Sequence, residues 1–99
     1  MLIEHRTVSR KTPNDGRLEI SESTVAHLEP LGETFRVRTA HGDGDARLHA
    51  MTCTCAKSEH SGHQHVHHFV ESDVLRALEP GARVRLEIDS TRPGSLAIF

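Results

Sequence analysis

Two cysteines and five histidines crowd into one stretch of the chain: Cys53 and Cys55, then His60, His63, His65, His67 and His68. An even spread of the nine histidines would put fewer than one of them between 60 and 68, so the clustering calls for a cause. Thiolate and imidazole are the donors that zinc prefers. Closing four of them around the ion adds folding energy to a small domain. Nickel and copper also accept imidazole and are the secondary candidates.

Alternation along a strand decides which of these residues can meet. In extended chain His49, Met51, Cys53 and Cys55 share one face, and His63, His65, His67 and Phe69 share one face of the next strand. A hairpin over 46–70 whose paired numbers sum to 118 sets Cys53 opposite His65 and Cys55 opposite His63. A sum of 120 instead pairs Cys53 with His67 and Cys55 with His65. Both registers bring two cysteines opposite two histidines, with cross-strand Cβ atoms roughly 5 Å apart. The metal candidates are therefore Cys53, Cys55, His65 and one of His63 or His67. Under the first register Leu48 meets Val70 and Thr52 meets Val66, an apolar strip for the core, and a one-residue slip would drive the ligands into that core. The plain alternative is a solvated histidine-rich loop with two incidental cysteines. C-x-C followed by H-x-H is less diagnostic than paired C-x-x-C knuckles, which this sequence lacks.

Other chemistries have less to stand on. His65-Val66-His67 with Glu71 four residues on resembles the first half of the cupin metal motif, which would imply a small metalloenzyme. No histidine follows His68 to supply the second half, and Glu71-Ser72 reads as the start of a helix. A redox role for the two thiols lacks the helix N-terminus or cationic neighbour that stabilises thiolate. Met51 reads as packing, and Asp43-Gly44-Asp45 as a turn rather than a calcium loop. The ten arginines include two alternating pairs, Arg36 with Arg38 and Arg83 with Arg85, which could form an anion or nucleic-acid contact surface. Nearby Glu33, Glu87 and Asp89 favour the simpler reading of a solvated, charge-balanced strand face.

The elements that must position these groups follow from turn residues and periodicity. Leu2 to Ser9 and Arg17 to Ile20 read as strands joined by the turn-rich Thr12-Pro13-Asn14-Asp15-Gly16, and Gly42 to Asp45 reads as a further turn. Ala46 to Cys55 and His63 to Val70 form the hairpin, and a last strand near Ser95 to Phe99 follows Arg92-Pro93-Gly94. Two stretches look like copies, 16–39 and 66–89: each carries a serine-capped helical segment, a Glu-Pro stop, a glycine and an alternating strand, Phe35 to Arg38 or Arg83 to Leu86. Six or seven short strands with two short helices in pseudo-duplicated halves predict a small, mainly β, single-domain barrel over 1–99.

Gly16-Arg17-Leu18-Glu19-Ile20, Leu28 and Gly32-Glu33-Thr34-Phe35-Arg36-Val37 resemble the half-barrel unit of AbrB-like transcription regulators, MazE-type antitoxins and related double-psi barrels. Counting the second copy, the resemblance covers about two fifths of the chain, and it departs from the family in having Ser21 where proline is usual. It implies a barrel of two halves and, as an alternative function, nucleic-acid binding.

With 99 residues, 35% hydrophobic and 26% charged, the chain has room for one core only. Three Phe and no Trp or Tyr argue against a surface built on aromatic stacking. The formal charge of −2, rising to +7 if all nine histidines are protonated, argues against a dedicated nucleic-acid binder at neutral pH. No apolar run is long enough to span a membrane, and the N-terminus lacks a signal peptide's apolar centre, so the expected location is the cytoplasm, with both thiols reduced. The expectation is thus a monomeric or homodimeric binding or interaction module, partner unknown, whose central hairpin is stapled by structural zinc.

Overall fold

The computed structural model describes residues 1–54, 64–88 and 94–99 and, within them, every side chain but those of Cys53, Thr54, Gln64 and His65. Seven strands run through these residues: β1 (Leu2–Thr7), β2 (Arg17–Ile20), β3 (Phe35–Thr39), β4 (Gly42–Thr54), β5 (Gln64–Glu71), β6 (Arg83–Ile88) and β7 (Ser95–Ile98). They form one sheet in the order β1-β6-β7-β3-β4-β5-β2, antiparallel except where β3 lies parallel to β7. β4 turns the corner of this sheet: Gly42 to Ala46 pair with β3, and Arg47 to Thr54 pair with β5.

The two outermost strands are drawn together by side chains rather than by a backbone ladder. Arg6 Nε on β1 donates to the Glu19 carbonyl on β2 at 2.8 Å, and the Ser21 amide donates to Glu4 Oε1 at 2.9 Å. Charge-assisted bonds of this kind occupy edge groups that would otherwise invite another strand. The result is the nearly closed β-barrel that the strand pattern predicts.

Alternation fills the interior. Leu18, Ile20, Phe35, Val37, Val70, Val84, Leu86, Leu96 and Ile98 point inward and are buried, joined by Leu28 and Leu75 from the helical segments. β7 is buried throughout, with Leu96 and Ile98 inside and the small Ser95 and Ala97 on its other face.

Local chemistry explains where the observed elements differ from the expected ones. The segment after β1 is a short helix, α1 (Lys11–Asp15), rather than an open turn. Pro13 is tolerated in its first turn, and Gly16 ends it in the left-handed region at φ 66°. The helix α2 (Glu22–Leu28) is capped by Ser21, whose Oγ accepts from the Thr24 amide. In the second stretch Ser72 donates its hydroxyl to the Asp45 carbonyl at 2.7 Å and caps nothing, so Asp73–Ala77 forms a 3-10 segment rather than an α-helix. Each of the two similar stretches runs strand, helical segment, strand, and their first strands, β2 and β5, pair.

Gly42 to Asp45 lie inside β4, and the turn falls just before them, where Thr39 Oγ1 accepts from the His41 amide and donates to the Gly42 carbonyl. Gly44 serves close approach: a Cβ there would sit 2.6 Å from Val74 Cγ1. The expected core strip is only half right. Leu48 and Val70 pack in the core, but Thr52 and Val66 are exposed, Val66 by 50%, because the β4–β5 arm runs on past the end of β2.

Candidate metal-binding hairpin and the adjoining cleft

The β4–β5 ladder adopts the register whose paired numbers sum to 118. Leu48 pairs with Val70, Met51 with His67, Thr52 with Val66, and Cys53 with His65. Backbone alternation then places His49, Met51 and Cys53 on the same outer face as His65, His67 and Phe69. Cys55 and His63 lie outside the described residues, as does the closing turn of the hairpin. Among the described residues no three His, Cys, Asp or Glu side chains converge where a metal ion could sit, a set to which the Cys53 and His65 side chains do not belong.

β2 supplies the third strand of this face and two residues that strand pairing within the hairpin could not disclose. Glu19 on β2 reaches diagonally to His67, with Oε2 3.2 Å from Nδ1. A carboxylate only accepts, so Nδ1 carries a proton, and in the neutral ring Nε2 then keeps the lone pair. One row further along, Arg17, Glu71 and Arg47 stand directly opposite one another on β2, β5 and β4. Arg17 Nε meets Glu71 Oε2 at 2.7 Å, and Arg47 donates to Oε1 through Nε at 2.8 Å. Hydrogen bonds from Arg17 first, then Arg47, hold the Glu71 carboxyl below its usual range despite partial burial. Glu71 is therefore the last residue of β5, not the opening of a helix, and its two oxygens are taken by arginines rather than free for a metal.

Between the Cys53–His65 row and the arginine row the face is softer. His49 and Phe69 meet with ring centroids 6.4 Å apart, and Arg17 Nη1 lies 3.7 Å from Met51 Sδ. A cleft of about 370 Å³ opens over this part of the sheet. Met51, Phe69, Glu19 and His67 of the sheet line it together with Lys11 and Asp15 of α1.

The four arginines singled out by their alternation occupy a different face. Arg36 and Arg38 lie on β3, Arg83 and Arg85 on β6, with β7 between them. Arg36 is paired with Asp45 at 3.0 Å, both side chains more than half exposed, and Arg38 stands opposite Asp43 in the ladder. Acidic residues of β4 thus stand beside Arg36 and Arg38, while Arg83 and Arg85 stand opposite Thr7 and His5 of β1.

Among the described residues no helix is long and apolar enough to cross a membrane. No protein family model, no curated protein and no solved structure matches the chain.

Proposed function

We propose that this chain is a small metal-binding β-barrel whose β4–β5 arm holds one zinc ion structurally, presenting a stapled surface for binding rather than for catalysis. The ligands are drawn from Cys53, His65 and His67, with Cys55 and His63 as the remaining donors in the sequence. The observation that carries this reading is the Glu19–His67 bond. A carboxylate on one ring nitrogen fixes the tautomer and leaves the other as donor, as outer-shell carboxylates do for metal-bound histidines. The Cys53–His65 pair stands two residues away on the same face, so thiolate and imidazole donors share one side of one ladder.

A structural role fits better than a catalytic one because both described carboxylates on this face are engaged, Glu71 by Arg17 and Arg47 and Glu19 by His67. Metal analysis of untagged protein, followed by melting with and without a chelator, tests the reading. One equivalent of zinc and a lower melting temperature on chelation support it. Protein that stays metal-free after exposure to zinc, with an unchanged melt, overturns it. Competition with nickel and Cu(I) ranks the other metals that imidazole, thiolate and Met51 would accept.

A further inference from the structure

The cleft over β2, β4 and β5 has a charge arrangement that the barrel does not itself consume. Four charged side chains line it: Lys11, Asp15, Arg17 and Glu19. Arg17 is bound to Glu71 and Glu19 to His67. That leaves one cation and one anion, Lys11 and Asp15, both exposed and with no side-chain hydrogen bond or ion pair among the described residues. They sit four apart on α1, a spacing that sets their Cβ atoms about 6 Å apart on one helix face and would allow them to pair with each other. They do not. The same cleft is lined by the apolar side chains of Met51 and Phe69.

We infer that this cleft binds a free α-amino acid with an apolar side chain. A neutral apolar ligand would leave Lys11 and Asp15 unused, and a simple anion or cation would meet one charge of its own sign. A zwitterion carries a carboxylate and an ammonium on one carbon, so one can face Lys11 while the other faces Asp15, and its side chain lies on Met51 and Phe69. The volume of about 370 Å³ is at the small end for ligand sites, which range over roughly 300–1,000 Å³, and suits a molecule of this size. A nine-heavy-atom ligand in an open cleft implies a millimolar dissociation constant. The inference stands apart from the zinc reading, although His67 borders both features.

NMR titration of the purified protein, its metal content measured beforehand, provides the test. L-leucine is the probe, with 4-methylpentanoate lacking the ammonium and 3-methylbutylamine lacking the carboxylate. Saturable shifts at Lys11, Asp15, Glu19 and Met51 are expected with leucine. Each analogue, and each of Lys11→Ala and Asp15→Ala, should weaken binding about tenfold, the usual effect of one charge-assisted contact. These variants touch exposed positions only, and unchanged wild-type-like spectra would show that they fold. Absence of saturable shifts overturns the inference, as does equal binding of the analogues. Leucine binding that ignores both α1 variants but disappears in Cys53→Ser would place the amino acid on a metal instead, and also overturns it. Failure of the zinc reading would appear separately, as absent metal with leucine binding retained.

Discussion

Replacing Glu71 with glutamine keeps the side chain's size and removes the charge on which three strands converge. Arg17, Glu71 and Arg47 are direct cross-strand neighbours, and Glu71 accepts at 2.7 Å from Arg17 Nε and at 2.7 Å from Arg47 Nη2. The Arg47 side chain is 65% exposed, so its contact is at the weak end for a surface pair, while the Arg17 side chain, 30% exposed, is screened less. Together with the repulsion left between two uncompensated arginines, Glu71→Gln is expected to cost about 1.5 kcal/mol at pH 7. For a domain of this size that lowers the melting temperature by about 6–12 °C. The sign of the pH dependence follows from the depressed pKa. As pH falls below the ordinary value of 4.5, the unfolded chain takes up a proton at Glu71 while the folded carboxylate stays charged. This stabilisation is therefore full above that value and is lost as pH drops toward the folded pKa. The glutamine variant lacks it, so the gap between the two proteins should close in acid. With no Trp or Tyr in the chain, urea unfolding followed by circular dichroism is the assay. A loss under about 0.5 kcal/mol at pH 7, or a gap that stays constant down to about pH 3, would refute the argument.

Three further outcomes follow from single contacts. Glu19→Gln should reduce zinc affinity about tenfold in competition with a chromophoric chelator, since an amide can no longer accept strongly from His67 Nδ1. Gly44→Ala should destabilise by about 1–3 kcal/mol in urea, because its new Cβ falls 2.6 Å from a β-branched neighbour, Val74, and a neutral result would mean that the 3-10 segment yields freely. Ser21→Ala removes the cap of α2 and the hydroxyl that donates to Glu4, and should cost about 1–2 kcal/mol in the same assay.

What could be read from the sequence was whatever depends on period and neighbour identity. β2 matches its expected span residue for residue because Arg17-Leu18-Glu19-Ile20 alternates cleanly and Gly16 precedes it. The hairpin register needed one choice between two sums, and the inward Leu48–Val70 pair makes it. Less legible was anything that depends on a distant partner. Asp43-Gly44-Asp45 carries turn residues, yet Gly44 is there because Val74, thirty positions later, presses on β4. Ser72 looks like a cap, but its hydroxyl goes to Asp45. The same limit applies to the site. His67 stands out by composition, whereas Glu19 gains meaning only when β2 docks beside β5 and brings its carboxylate within 3.2 Å. No local spacing encodes a contact across 48 residues.

The position of the metal candidates on the hairpin is itself an argument about why they are there. Up to the Leu48–Val70 row, β4 and β5 have a buried inner face, and β2 covers β5 as far as His68. Past the Ala50–His68 row the arm is a two-stranded ribbon, exposed at Thr52 and Val66 on one face and at Met51 on the other. A ribbon of this kind is marginal in water, and alternation cannot fix its register where neither face is buried. Burial therefore ceases to hold the chain at the rows where Met51, Cys53, His65 and His67 begin. Donors on one face that share an ion would supply there the cross-strand attachment that apolar contacts supply below. The same residues placed beside Glu71 would add little, because two arginines already tie those three strands together.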